Sequence, residues 1–341
     1  MRRETGPDIA RDDRSVITTG TFDGVHLGHR AIVRYLVDRA ALVGGVPTLV
    51  TFDPHPREVI AGVRVPLLTT MDERADLART LGIERFVVLP FTRDLSNLEP
   101  EAYVTDVLLG QVGAKEIVVG YDHRFGRRAR GDRALLERLG AEHRFSVDVI
   151  PEQVETGVTV SSTGVRTRIA SGDVEGAARL LGRPYSFAGT VVRGDARGRT
   201  IGFPTANVLP EDPRKLLPGI GVYAVRAWVE APGASGEARP VPGEGRGEAT
   251  SGGGDPAPGS HPPAPWLGMM NVGRRPTFEA DGAVKAEVHL FGDVGDLYGR
   301  RLRVEVAAHI RGEKRFDGPD ALVRQLREDR QRARWLLAPE S

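Results

Sequence analysis

Over the first 150 residues, short β-branched runs alternate with longer segments that have helical spacing. The candidate strands are Val16–Thr19, Thr48–Phe52, Arg85–Leu89, Glu116–Gly120 and Ser146–Ile150. The candidate helices are His29–Val43, Asp72–Leu81, Pro100–Gln111 and Asp132–Leu139. This alternation predicts an α/β domain, in which helices cover both faces of a parallel sheet. Ligands of such sheets bind beyond the carboxyl ends of the strands, so the chemistry is expected directly after each strand.

The pattern changes in the second half of the chain, where strand-like segments follow one another without long helices. They are Tyr223–Val229, Val284–Leu290 and Arg301–Ala307. In the last of these, apolar and charged residues alternate with the period of a half-buried strand. Apolar residues recur on one side of Pro319–Leu337, which predicts a helix. The second half is therefore expected to be a small β-barrel with a terminal helix.

These patterns divide the chain into two domains, predicted at residues 1–184 and 185–341. Arg166–Leu181 has the spacing of a connecting helical segment. Within the second domain, 17 of the 35 positions of Ala231–Pro265 are glycine or proline. Such a composition buries too little apolar surface to offset the entropy of ordering, so a disordered insertion at 231–265 is predicted.

Composition narrows the class of protein. The 341 residues are 40% hydrophobic and 27% charged, with a net charge of +1, so no strong field attracts nucleic acid or an anionic membrane. The absence of cysteine excludes disulfides and thiolate chemistry. Met1–Arg14 lacks the apolar core of a signal peptide, and no apolar run is long enough to cross a membrane. We expect a cytoplasmic protein without nucleic-acid or membrane partners, as a monomer or weak homo-oligomer.

The richest segment runs from Gly20 to His29 (GTFDGVHLGH), after the first strand and at the start of the first helix. Backbone N–H groups converge at a helix start and favour anions. His26 and His29 are three residues apart and can share one face there, and Gly28 lets a phosphate approach the backbone. The chain has no Gly-Lys pair, which excludes a Walker A loop. The segment therefore predicts a lysine-free pocket for a nucleoside triphosphate.

His26-Leu27-Gly28-His29 resembles the signature of the nucleotidyltransferases, and the longer string resembles their FMN adenylyltransferase branch. Similar matches follow at 51–56 (TFDPHP), 120–126 (GYDHRFG) and 160–166 (VSSTGVR). The resemblance implies a Rossmann-like domain in which His26, His29, Ser162 and Arg166 hold the ATP phosphates. It places further nucleotide and flavin contacts at the following residues: Gly20, Phe22, Asp23, Gly28 and Ser161 for the nucleotide, and Asp122 and Phe125 for the flavin.

A second glycine-rich segment opens the barrel half, with glycines at 194, 198 and 202 and the tetrapeptide Pro-Thr-Ala-Asn ending at Asn207. Backbone N–H groups of such a loop can cradle phosphate. Thr205 and Asn207 project to one side in extended chain and offer hard oxygen ligands for Mg²⁺. The string from Gly198 to Asn207 (GRTIGFPTAN) resembles the riboflavin kinase motif. The resemblance implies nucleotide contacts at Gly194, Gly198 and Arg199, and a Mg²⁺ site at Thr205 and Asn207.

Transfer of a phosphoryl group to a neutral hydroxyl requires a base. In the strand Val284–Leu290, Lys285, Glu287 and His289 share the face opposite to the apolar residues. Glu287 matches the catalytic carboxylate of riboflavin kinases, so the resemblance implies that it is this base.

Together, the two motif sets resemble the prokaryotic bifunctional FAD synthetases over nearly the whole chain. The resemblance implies two activities, phosphorylation of riboflavin to FMN and adenylylation of FMN to FAD, with ATP, riboflavin and FMN as ligands and Mg²⁺ as cofactor. One alternative is a nucleotidyltransferase with another acceptor, against which the second motif set argues. The other is an inactive flavin-binding regulator, which would be expected to lack residues such as His26, His29 or Glu287.

Overall fold

The computed structural model describes residues 1–152, 154–155, 157–194, 198, 201–230, 264–274 and 284–338. It contains two compact units, Met1–Arg166 with Arg179–Gly182, and Thr167–Ala178 with Arg183–Ser341. The division at 184/185 stays a prediction about separate folding domains. Arg199 and residues 231–263 lie outside the described residues. The nucleotide contact of Arg199 and the disordered insertion therefore also stay predictions.

The first unit is built on a six-stranded parallel sheet in the order β1-β4-β3-β2-β5-β6. Its strands are β1 (Arg2–Thr5), β2 (Ser15–Thr19), β3 (Val46–Asp53), β4 (Arg85–Pro90), β5 (Ala114–Gly120) and β6 (Ser146–Ile150). The five predicted strands are confirmed, as is the parallel α/β architecture. The strand order reverses between β2 and β5, which makes that point the expected ligand-binding crevice.

Strand β1 has no apolar periodicity and was missed by sequence analysis. It pairs with β4 at the edge of the sheet, and its anchor is a buried ion pair. Arg85 is fully buried and donates from Nη2 to Glu4 at 2.8 Å. The same guanidinium donates to Ser15 at 2.9 Å. The edge strand is therefore held by a charge pair between residues 81 positions apart, which local sequence patterns do not reveal.

Helices cover both faces of this sheet. They are α1 (Leu27–Val43), α2 (Pro56–Ala61), α3 (Met71–Thr80), α4 (Arg93–Asn97), α5 (Pro100–Ala102) and α6 (Arg133–His143), with a π-helix at Tyr103–Val112. Val33 and Leu36 of α1 pack on one face, and Val104 and Leu108 of the π-helix pack on the other. Both core clusters consist of buried apolar residues, and this burial is the main driving force for the layered fold.

Local sequence explains where several helices begin. Thr70 and Glu73 form a reciprocal capping box at the start of α3, and Asp132 caps α6 by accepting from the backbone N–H of Leu135 at 3.0 Å. Gly44 ends α1 in the left-handed conformation. Two further helices, α7 (Ser162–Ser171) and α8 (Val174–Leu181), follow a short hairpin of β7 (Val154–Glu155) and β8 (Val158–Thr159). The described residues contain no helix long and apolar enough to cross a membrane.

The second unit is a closed antiparallel barrel with the strand order β10-β13-β12-β11-β14-β9. Its strands are β9 (Tyr185–Val192), β10 (Ala206–Pro210), β11 (Gly221–Glu230), β12 (Trp266–Arg274), β13 (Val284–Leu290) and β14 (Arg301–Arg311). The terminal helix α9 spans Pro319–Leu337 as predicted. Ala333 and Leu337 of α9 pack with Ala224 and Met269 of the barrel. The predicted barrel with a terminal helix is confirmed.

Candidate functional sites

A cavity of about 320 Å³ opens at the point where the strand order of the sheet reverses. Its wall is formed by the segments after β2, β5 and β6 and by the start of α7. Eight residues proposed from sequence line it: Gly20, Phe22, His26, Gly28, His29, Asp122, Ser161 and Ser162. Segments separated by more than a hundred residues therefore converge on one cavity, as the switch-point rule predicts.

The two histidines lie at the first turn of α1. His26 caps the helix, because its Nδ1 accepts from the backbone N–H of His29 at 3.3 Å. The two imidazole rings stack with centroids 3.6 Å apart. Burial, reinforced by the neighbouring His26 and Arg74, holds the pKa of His29 well below its usual range. His29 is thus a neutral hydrogen-bonding group, and its Nδ1 is buried without a hydrogen-bond partner among the described residues.

The loop before α1 adopts a strained conformation. Phe22 and Val25 have positive φ angles of 47° and 43°, a region that non-glycine residues rarely occupy and that is unfavourable for a β-branched side chain. Both side chains are almost fully buried, so packing compensates for this strain. Ser162 at the start of α7 also fixes the loop, since its hydroxyl donates to the backbone carbonyl of Asp23 at 2.8 Å. Burial of two side chains and one hydrogen bond therefore hold the cavity wall in this conformation.

Asp23 lies outside the cavity lining and is completely buried. Its carboxylate accepts from the backbone N–H of Leu68 at 3.0 Å and from that of Thr69 at 2.9 Å. It also pairs with Arg166 at 2.6 Å and with Arg74 at 3.4 Å. Burial alone would raise the pKa of Asp23, but the two guanidinium groups and the backbone donors lower it below the ordinary value. Asp23 therefore stays ionised as the anchor of this loop.

Arg166 is held at the same anchor. Besides the ion pair with Asp23, its Nε donates to the carbonyl of Pro66 at 2.9 Å. Its guanidinium lies outside the cavity lining in this conformation. The Asp23 carboxylate thus meets two guanidinium groups directly behind the cavity wall, and Arg74 also interacts with the carboxylate of Asp53.

A second cavity of about 620 Å³ adjoins the first in the same unit. Its lining combines apolar residues, including Phe52, Phe91 and the predicted flavin contact Phe125, with polar residues, four of which are arginines. Thr19 and Tyr103 share a buried hydrogen bond of 2.8 Å at its base. Thr19, Gly20, Thr21, His123 and Arg124 line both cavities. A ligand in the larger cavity that extends past these five residues would therefore enter the smaller cavity.

The barrel unit has a separate cavity of about 330 Å³. Its wall combines strand residues with the loop after β14 and with Leu322 and Leu326 of α9. The predicted residues Gly198, Thr205 and Glu287 line it. The predicted Gly194 and Asn207 lie outside this lining but adjacent to each other, because a Cβ on Gly194 would come within 2.0 Å of Asn207 Nδ2. The glycine at 194 therefore permits close approach of the two chain segments.

Glu287 occupies the middle of β13. The strand register places it opposite Asn207 on one side and Asn271 on the other, so three oxygen-bearing side chains share neighbouring positions. The hydroxyl of Thr205 lies close to Gly198, where a Cβ would come within 3.4 Å of Thr205 Oγ1. Hydroxyl and amide oxygens are hard ligands suited to Mg²⁺, so Thr205 and Asn207 fit the expected ion.

Sequence analysis missed several polar residues at these sites. Arg74 and Thr69 bind Asp23 from α3 and the preceding loop, although their local pattern only indicates a helix start. Asn271 enters the barrel cavity only through the register of β12. His289 was recognised as facing the same way as Glu287, but not as a site residue. Its Nδ1 lies 2.8 Å from the carbonyl of Pro204, and burial lowers its pKa.

Two family models match successive parts of the chain. The family model for FAD synthetase matches residues 8–164, and that for riboflavin kinase matches residues 181–337. The chain is 34% identical over 330 residues to a bifunctional riboflavin kinase/FMN adenylyltransferase of Listeria monocytogenes, covering 96% of this chain and 94% of that protein. It is 34% identical over 326 residues to the Escherichia coli K12 protein of the same name, covering 95% and 93%.

A solved structure from Streptococcus pneumoniae, described as a macrolide-efflux protein, has a TM-score of 0.80 with 28% identity over 97% of this chain and 98% of that one. The fold of this chain is therefore similar to that crystal structure over nearly the whole length of both chains. Both the family models and the full-length relatives therefore lead to one conclusion: the chain belongs to the family of bifunctional riboflavin kinase/FMN adenylyltransferases.

Proposed function

We propose that this protein phosphorylates riboflavin to FMN in its barrel unit and adenylylates FMN to FAD in its sheet unit, consuming ATP at each step. The observation that carries the proposal is the presence of two separate cavities on one chain, one lined by His26, His29 and Ser162 and the other by Thr205 and Glu287. A nucleotidyltransferase with another acceptor would have no use for the second cavity and its carboxylate.

In the adenylyl transfer, an oxygen of the FMN phosphate attacks the α-phosphorus of ATP and pyrophosphate leaves. The nucleophile is already ionised, so catalysis depends on alignment and on stabilising the developing charge. The N-terminus of α1 supplies backbone N–H groups, and the imidazoles of His26 and His29 supply further hydrogen bonds to phosphate. Arg166 and Arg74 add positive charge behind the wall, around Asp23.

The flavin of FMN is placed in the larger cavity of the sheet unit. Phe52, Phe91 and Phe125 offer ring contacts to the isoalloxazine. The phosphate end would then reach the wall that the two cavities share, beside the ATP site. Asp122, by contrast, lines the nucleotide cavity and not the larger one, so its proposed flavin contact is with the ribityl hydroxyls of FMN and not with the isoalloxazine.

In the kinase reaction, the terminal ribityl hydroxyl of riboflavin attacks the γ-phosphorus of ATP, and ADP leaves as the bond to the β-phosphate oxygen breaks. We assign Glu287 as the base that accepts the hydroxyl proton, because it is a carboxylate on the wall of the barrel cavity. His289 is less suited to this role, since its Nδ1 is engaged with the carbonyl of Pro204 and its pKa is lowered.

Thr205 and Asn207 would hold Mg²⁺ in the barrel unit, where the ion would neutralise charge on the ATP phosphates. Gly194 and Gly198 would let the phosphates approach the backbone beside these two side chains. The predicted contact of Arg199 is part of the same proposal. Both reactions are expected to require a divalent ion bound to ATP.

The test is to incubate the purified protein with riboflavin, ATP and Mg²⁺ and to follow products by chromatography. FMN should form first and FAD second, with release of pyrophosphate in the second step. FMN supplied directly should give FAD without a lag. Formation of neither product would refute the proposal, and formation of FMN alone would refute its second half. A cytoplasmic location and a monomeric or weakly self-associating state stay predictions, the latter checked by gel filtration.

A further inference from the structure

Adenylyl transfer requires the two reacting groups to meet at one place. The attacking phosphate oxygen must come within about 3–3.5 Å of the α-phosphorus. If ATP occupies the smaller cavity of the sheet unit and the flavin the larger one, the FMN phosphate must lie against the wall that both cavities share. That wall consists of Thr19, Gly20, Thr21, His123 and Arg124.

The shared wall contains little charge. Two of its residues offer hydroxyl groups and one is a glycine. The imidazole of His123 stacks against Phe125 with centroids 5.8 Å apart. Burial lowers the pKa of His123 to about 4, so it is neutral near pH 7. Of these five residues, Arg124 therefore contributes the permanent positive charge.

We propose that Arg124 binds the phosphate of FMN and is the residue by which the adenylylation site distinguishes FMN from riboflavin. This inference rests on the proposed function. Riboflavin and FMN share the isoalloxazine and the ribityl chain, so contacts with these shared parts cannot distinguish the two flavins. A guanidinium at the junction adds hydrogen bonds that only the phosphorylated flavin can accept.

Arg124 can exchange its present partner, a carboxylate, for the phosphate of FMN. Its Nη1 lies 3.4 Å from Asp132 Oδ2, and both side chains are largely exposed. Exposed ion pairs of this kind contribute little to stability, so replacing the carboxylate with a phosphate costs little. The other carboxylate oxygen of Asp132 caps α6 and would keep that role.

Three further arginines of the same loop, Arg127, Arg128 and Arg130, lie outside the shared wall, and two of them pair with Glu99. Arg127 pairs with Glu99 at 3.1 Å, and Arg130 pairs with the other carboxylate oxygen of Glu99. Arg127 lines the larger cavity but not the smaller one, and Arg130 lies outside the lining of both cavities. Arg130 therefore offers a matched control, with the same charge in the same loop.

The experiment compares Arg124→Ala with Arg130→Ala in three kinetic measurements of FAD formation. These are the KM for FMN, the KM for ATP, and the inhibition constant of riboflavin competing with FMN. For Arg124→Ala we expect the KM for FMN to rise about 10- to 100-fold, the range for hydrogen bonds to charged groups. The KM for ATP and the inhibition constant of riboflavin should stay at wild-type values, and Arg130→Ala should change none of the three.

An unchanged KM for FMN would overturn the inference. An equal rise in the KM for ATP would also overturn it, because Arg124 would then bind ATP. So would a parallel rise in the inhibition constant of riboflavin, because Arg124 would then contact the flavin itself. Asp132→Asn keeps the helix cap and removes the competing charge, so it should lower the KM for FMN, and a raised KM would count against the exchange. Wild-type protein that makes no FAD would refute the proposed function itself, whereas wild-type FAD formation with an unchanged Arg124→Ala refutes only this inference.

Discussion

Changing Glu287 to Gln tests the kinase mechanism most directly. The substitution preserves the size of the side chain and its hydrogen bonding but removes its ability to accept a proton. Glu287 lies on the cavity wall of the barrel, half-buried and opposite Asn207 and Asn271. A positioned base contributes about 10²–10⁴-fold, so the rate from riboflavin should fall by that factor. This corresponds to about 3–5 kcal/mol in the activation barrier.

The fold should tolerate this change. Glu287 is partly exposed to solvent, and a neutral side chain of equal size there should alter the free energy of unfolding by no more than about 0.5 kcal/mol. The matched control is Glu305→Gln on β14, where the carboxylate pairs with Arg226 at 3.2 Å and lies outside the cavity lining. Its kinase rate should equal that of the wild type.

Assays with riboflavin and with FMN as substrate distinguish loss of the base from misfolding. With riboflavin as input, Glu287→Gln should form FMN slowly, and with FMN as input it should form FAD at the wild-type rate. Equal loss with both inputs would indicate misfolding. An unchanged rate from riboflavin would exclude Glu287 as the base and leave His289, on the same face of β13, as the group to examine next.

Three further predictions concern the sheet unit and the predicted insertion at 231–265. His29→Ala should abolish FAD formation while FMN accumulates from riboflavin, because His29 lies at the α1 end of the adenylylation cavity; surviving FAD output, measured by chromatography, would contradict this role. Arg74→Met should lower the free energy of unfolding by about 3–5 kcal/mol at pH 7, because it leaves the buried Asp23 carboxylate with one cation fewer. Its loss also raises the pKa of Asp23, so the stability difference from the wild type should shrink as the pH falls towards 4, and denaturant titrations that show a constant difference would exclude this explanation. Replacing Ala231–Pro265 with a short Gly-Ser bridge should leave both activities within about tenfold of wild type, since loop length between β11 and β12 costs little; loss of soluble protein would refute it.

Much of the architecture followed from local patterns. Strands such as β2 and β13, helix α9 and the order of the elements were readable because apolar periodicity reports which face of each element is buried. The stretch from Gly20 to His29 was also identifiable, since a helix start with two histidines and a close glycine is a local feature. Strand β1 escaped because its anchor, Arg85 with Glu4, depends on residues far apart in the chain.

The sequence alone determined the two kinds of domain, the motif of each site and the chemistry that each side chain can perform. Only the tertiary structure decided which of these side chains meet. Asp23 belongs to the adenylyltransferase motif, yet it is buried as the partner of Arg74 and Arg166, and Arg124 acquires a specific position because two cavities share its wall. The physical reason is that local patterns report burial along one element, whereas ion pairs, strand register and cavity walls depend on how distant elements pack.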